Sequence, residues 1–177
     1  MVVQTADELT GADKIILPGV GAFDWAMSKL DESGMRACLD HMVLERKRPV
    51  LGICVGMQMM ACRSDEGILN GLGWINAEVK RFDETHFQQK TRLPHMGWNE
   101  VVPTATDTLF RGLDNARFYF LHSYYCAPVD PTRILASTDY NGSFTSAMQA
   151  GHIYGVQFHP EKSHYWGMQL LKNFAEL

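Results

Sequence analysis

The chain has 177 residues, 46% of them hydrophobic, enough to bury the core of one ordinary domain. A net charge of −4, with no basic run longer than Arg46-Lys47-Arg48, leaves no footprint for nucleic acid, and no apolar stretch approaches a membrane span. Four scattered cysteines, Cys38, Cys54, Cys62 and Cys126, form no CxxC pair, which argues against disulfides and a zinc site and suits a reducing cytoplasm.

The opening Met1 to Thr5 lacks the charged and apolar regions of a signal peptide. Lys14 to Leu17 reads as a buried strand, stopped by the tight loop Pro18-Gly19-Val20-Gly21. Ala22 to Leu30 and Met35 to Lys47 show helical periodicity, with Gly34 as the break. Pro49 to Ile53 is a second apolar strand, and Gly56 to Ala61 begins a helix. Strand, helix, strand, helix with continuous apolar strands predicts a mostly parallel sheet flanked by helices. The first clear strand comes late for such a sheet. Val2-Val3 reads as the tail of a preceding strand, so the chain looks as though it lacks a first strand and helix.

The middle changes character. Ala77 to Phe82, Asn99 to Val102, Phe118 to His122 and Ile134 to Thr138 are short, alternating or aromatic, and bounded by turn residues. Phe144 to Met148 and Ile153 to Phe158 flank Gln149 to His152 like a hairpin. These strands predict an antiparallel or mixed portion. A last amphipathic helix runs from His164 to Glu176. There is no repeat and no linker, so residues 1–177 read as one domain.

Two motifs carry chemistry. The strand ending in Gly52-Ile53-Cys54-Val55-Gly56 has the pattern of a nucleophile elbow, a strained strand-to-helix turn that lifts one side chain above a sheet. At a helix N-terminus the dipole and free N–H groups would favour a thiolate on Cys54. Alone, the pattern also fits a buried cysteine ending a core strand. Further on, Phe158-His159-Pro160-Glu161 sets a histidine and a carboxylate two residues apart. In an extended segment these point the same way, so Glu161 can orient His159, and His159 can take the thiol proton. A lone His-x-Glu is a weak signal. A cysteine elbow followed by it makes one Cys54-His159-Glu161 triad. Cys38, Cys62 and Cys126 read as packing residues, and no metal, nucleotide or flavin site is visible.

The chain resembles the class I (triad) glutamine amidotransferases, whose fold is flavodoxin-like. Within that class it is similar to the glutaminase subunits of imidazole glycerol phosphate synthase. The resemblance rests, in order, on Pro18-Gly19-Val20-Gly21-Ala22-Phe23, Gly52 to Gln58, Pro94-His95-Met96-Gly97-Trp98-Asn99, Phe120 to Tyr125, and Gly155 to Ser163. It implies that Cys54 attacks the side-chain amide of L-glutamine, with His159 as base and then acid and Glu161 orienting it. It implies an oxyanion hole from the N–H of Val55 and from the Gly19-Val20-Gly21 loop, at Val20, after a peptide flip. Gln58, Glu66, His122, Ser123 and Tyr124 match positions that hold glutamine. His95, Trp98, Asn99, Tyr119 and Lys162 match positions toward a partner. Read without the family, Gln58, Glu66 and Lys162 also fit plain surface residues, and Trp98 and Tyr119 core or rim aromatics.

That partner is implied to be a (β/α)8-barrel cyclase, forming a heterodimer. It uses the ammonia on a ribulosyl aminoimidazole-carboxamide ribonucleotide in histidine biosynthesis. Gly71 to Ile75 and Ser163 to Phe174 also resemble glutaminase paralogues that supply ammonia for amidino sugars of surface polysaccharides. From other classes, a cysteine peptidase would share the triad but want an extended groove. A non-catalytic binding module would be expected to lose one of Cys54, His159 and Glu161, and all three are present.

Overall fold

The computed structural model describes residues 1–87 and 91–177. The first element is a short helix, α1 (Ala6–Thr10), which the periodicity of the sequence does not announce. Its signal is local: Thr5 and Glu8 form a reciprocal capping box. Strand β1 (Ile15–Gly19), helix α2 (Phe23–Glu32), helix α3 (Arg36–Asp40), strand β2 (Val50–Cys54) and helix α4 (Val55–Met59) follow. The expected helix over 35–47 is therefore broken: α3 passes into one π-turn at His41–Glu45.

The antiparallel portion begins with β3 (Arg63–Ser64), β4 (Ala77–Arg81), β5 (His95–Glu100) and β6 (Val102–Pro103). Next come β7 (Arg117–His122), β8 (Tyr124–Pro128), β9 (Ile134–Asp139), β10 (Ser143–Ala150) and β11 (Ile153–Val156), with α5 (His164–Ala175) last. Among the described residues the main sheet runs β1-β2-β11-β10-β8-β4-β3, with β9 on β10 and β6 on β9; β5 and β7 form a separate antiparallel pair.

The parallel centre is narrower than the sequence suggests. It comprises β1, β2 and β11, plus the small β3–β4 contact, and the rest of the sheet is antiparallel. Every residue of β2 and β11 is buried, as expected for strands covered on both faces. The departure arises because β11 returns by the hairpin from β10, so the centre is completed by a strand from the far end of the chain. Among the described residues β1 has β2 as its one strand neighbour.

Two packing features position the site. Phe118 of β7 stacks on Phe158 at 4.0 Å between ring centres, with Phe110 and Phe120 against them; all four rings are fully buried. This block anchors the chain just before His159. Beyond it, Gly167 lets α5 lie directly on the following turn, because a Cβ there would run into the Pro160 carbonyl. No helix of the described residues is long and apolar enough to cross a membrane.

Candidate active site

The elbow is built by close backbone approach. Cys54 joins β2 to α4 at φ 54° and ψ −114°, a conformation strained for a residue with a Cβ. It persists because the turn is over-determined. A Cβ on Gly56 would run into the Leu17 carbonyl of β1, and one on Gly52 would meet the backbone of Gly56 and Met57. The glycines therefore belong to the sheet-to-helix contact, not to chain flexibility.

Cys54 faces a cavity of about 290 Å³. His159, Val55, and Val20 and Gly21 of the loop expected to hold an oxyanion also line it. Gln58, Glu66, Pro94, Leu121, His122, Ser123, Tyr124 and Lys162 complete the wall, so one cavity gathers residues from six separate stretches of chain. Gly19 lies just outside it, paired with Cys54 across β1 and β2.

His159 Nδ1 lies 2.8 Å from Glu161 Oε1. A carboxylate accepts, so Nδ1 carries the hydrogen and Nε2 keeps the lone pair. The pairing does not come from extended backbone, as the spacing suggested. Pro160–Lys162 form one 3-10 turn with His159 at its N-cap, and the turn folds Glu161 back onto the ring. Ser163, fully buried, pins this turn: its hydroxyl donates to the His159 carbonyl at 2.6 Å and accepts from the Tyr119 N–H at 3.0 Å. The His159 N–H in turn donates to the Tyr119 carbonyl at 2.9 Å.

The thiol differs from expectation. Burial pushes Cys54 up to about 11, and the Glu161 carboxylate adds to the rise. The Val55 N–H, the Gln157 amide and the Lys162 ammonium oppose it without overcoming it. The helix that starts at Val55 has five residues, so its dipole is small beside the cost of desolvating a thiolate. The resting group is a protonated thiol, whose S–H reaches the Leu121 carbonyl at 4.0 Å.

Glu66 Oε2 accepts from the Phe23 N–H at 2.8 Å, capping α2 where Ala22 supplies no side-chain cap. It thus ties the cavity wall to the start of α2, two residues past the Gly19-Val20-Gly21 loop. Gln58 is 3% exposed, which removes the surface reading; its amide donates to the Tyr124 carbonyl and to Gln157 Oε1, both at 3.1 Å. His122 Nδ1 also reaches the Tyr124 carbonyl, at 2.8 Å.

The residues expected toward a partner divide by strand parity. Trp98 stands on the outer face of β5 opposite Tyr119 of β7, and Lys162 sits 5.8 Å from the Tyr119 ring centre. His95 points inward instead, 3% exposed and stacked between Phe120 and Tyr140. Its Nδ1 meets His122 Nε2 at 3.0 Å, while Asn99 reaches its Nε2 at 3.3 Å and the Asp139 carbonyl at 2.8 Å. Burial lowers His122 to about 3 and His95 to about 4, so both rings are neutral at ordinary pH. A carbonyl at one end then sets the tautomers: His122 donates to Tyr124 and accepts from His95, and His95 accepts from Asn99.

Sequence reasoning missed Gln157 and Ser163. Gln157 was visible as the one polar side chain inside the apolar run from Ile153 to Phe158, and Ser163 carried no comparable signal. Of the other cysteines, Cys126 is buried and Cys38 half-buried, whereas Cys62 is exposed where the chain turns out of α4, contrary to the packing role expected of it.

A model of the glutamine amidotransferase class-I family matches residues 2–177. The chain is 56% identical to the imidazole glycerol phosphate synthase subunit HisH of Bdellovibrio bacteriovorus, over all of this chain and 87% of that protein. It is 49% identical to the subunit of the same name in Leptospira borgpetersenii, over 99% of this chain and 87% of that protein. A crystal structure of a glutamine amidotransferase superposes with a TM-score of 0.72 at 19% identity, over 98% of this chain and 83% of that one.

Proposed function

The chain belongs to the class-I glutamine amidotransferase family, and we propose that it is the glutaminase subunit of an imidazole glycerol phosphate synthase. Residues 1–177 act as one glutaminase domain. The observation that carries this reading is the cavity that brings together the Cys54 thiol, the Glu66 carboxylate and His159, with Glu161 bonded to the His159 ring.

L-Glutamine enters with its α-ammonium toward Glu66, an acceptor, and its carboxamide carbon over Cys54 Sγ. His159 Nε2 takes the thiol proton as the sulfur adds to that carbon, and Glu161 steadies the imidazolium. The carbonyl oxygen becomes an oxyanion held by backbone N–H groups, Val55 on one side and the Val20 loop on the other. His159 returns its proton to the nitrogen, the C–N bond breaks, and ammonia leaves. Water then adds to the thioester with His159 again as base, and glutamate and the free thiol result. A thiol poised near 11 makes this sequence slow unless the base is correctly seated.

The ammonia goes to a (β/α)8-barrel cyclase in a heterodimer. Supporting this, the outer face of the β5–β7 pair presents Met96 beside Leu121 and Trp98 beside Tyr119, with Met96 66% exposed. This face adjoins the cavity through Leu121 and Lys162. The test is glutamate release by the chain alone and with a cyclase plus its ribonucleotide ligand. A large rise that Cys54→Ala abolishes is expected. No rise, in a folded chain that binds glutamine, would overturn the cyclase assignment and favour an amidino-sugar partner.

A further inference from the structure

We propose that Gln157 is a catalytic residue that stabilises the Cys54 thiolate, and that Gln58 holds its amide in the donating orientation. The inference rests on Cys54 being the nucleophile.

Strand register brings the two residues together. β11 and β2 pair in parallel with Val156 opposite Ile53, so Gln157 and Cys54 are the next residues of neighbouring strand ends. The Gln157 N–H is tied to the Ser146 carbonyl at 2.9 Å, which fixes the backbone beneath the elbow. Its side chain is fully buried, and Nε2 lies 3.7 Å from Cys54 Sγ.

The direction of that contact follows from a group that cannot donate. The Tyr124 carbonyl faces one end of the Gln58 amide, so Gln58 must present its nitrogen there. The same nitrogen faces Gln157, which must therefore offer its oxygen. That leaves the Gln157 nitrogen, and only the nitrogen, to point at the sulfur. One backbone carbonyl thus sets two amides in series and aims an N–H at the nucleophile.

The chemistry uses this aim when the proton leaves. In the resting thiol the S–H faces the Leu121 carbonyl and the sulfur accepts from Gln157. Once His159 has the proton, the carbonyl contact loses its hydrogen, while the Gln157 N–H contact becomes charge-assisted and stronger. It therefore favours the ionised state over the resting one, which is the condition for lowering the chemical barrier. The charged and titratable groups around the sulfur are Glu161 and Lys162 on the turn after β11, His159, His122, Glu66 and Tyr124 in the cavity, and Cys126 behind it. None of them is altered by changing Gln157.

The test is alkylation of Cys54 by iodoacetamide in the full chain, followed by peptide mass spectrometry. Exposed Cys62 serves as the internal reference. At about pH 8 the rate tracks the thiolate fraction, so Gln157→Met is expected to slow Cys54 about tenfold while Cys62 is unchanged. Glutamate release with the cyclase should lose kcat by a similar factor, with KM within about twofold. Gln58→Met, which frees the Gln157 amide to turn, should slow Cys54 by a smaller factor, and it carries the test if Gln157→Met does not fold. A lowered melting temperature with an unchanged Cys54 rate in the folded variants would overturn the proposal, because the amides would then only fill the strand end. If wild type releases no glutamate, the glutaminase reading fails by itself; the alkylation ratio still reports on the sulfur contact.

Discussion

The two regions that meet at the cavity hold their residues by opposite means. The β1–β2–β11 centre is apolar and buried on both faces, and it places Cys54 through backbone geometry, with glycines where strand and helix touch. The β5–β7 pair instead alternates. Its inner face carries a neutral His95–His122 pair bonded to Asn99 and Tyr124, and its outer face carries Met96, Trp98, Tyr119 and Leu121. One region is rigid and single-purpose. In the other, residues one apart in sequence serve the interior and the surface, so a partner on the outer face, as proposed, would lie one strand thickness from the cavity.

The largest effect should come from the rigid side. Cys54→Ala is expected to reduce glutamate release by at least about ten-thousand-fold with little change in melting temperature, since Ala keeps the Cβ and the strained backbone and loses only the buried thiol. Steady-state assay and calorimetry check both halves. Glu161→Gln follows, with kcat down about a hundredfold: the His159 tautomer loses its carboxylate, though half of the Glu161 side chain is open to solvent, which softens the loss. Gly56→Ala should then cost stability and not specificity, about 2–4 kcal/mol by denaturant melt, because the Leu17 carbonyl must move.

The alternating side responds to pH. His95 and His122 have folded values of about 4 and 3, below the unfolded value of about 6.5. The unfolded chain therefore binds more protons in that window. The contribution is fully present above about pH 6.5 and is lost as pH falls through about 4 toward about 3. Melts across this range should show a steeper fall for wild type than for His95→Gln; parallel curves would place the acid sensitivity elsewhere. The smallest effect is expected on the outer face. Trp98→Ala should leave glutaminase activity of the lone chain within about twofold and weaken cyclase binding by about 1–3 kcal/mol, read by titration calorimetry.

The same contrast governs what was legible in the sequence. The rigid region shows as continuous apolar runs, and Cys54, His159 and Glu161 stand in motifs whose spacing carries a mechanism. All three line or adjoin one cavity. The alternating region was harder. Residues 95, 97 and 99 face one way along β5 and 96, 98 and 100 the other, so parity alone separates His95 from Trp98, although both stand in one motif. β8 was missed because Ser123 interrupts the run from Phe118, and the strand after it changes sheets. The thiol's protonated state was not legible either, since desolvation depends on what covers Cys54 and not on its neighbours in sequence.

The most direct test of the account is to trap the covalent intermediate. Glutamine is added to the chain with its cyclase and ligand, turnover is stopped in acid, and the peptides are mapped by mass. A glutamyl group on the peptide that carries Cys54, absent from Cys54→Ala, is the predicted result. Glutamate release without that adduct, or with the adduct on Cys38, Cys62 or Cys126, would contradict the account.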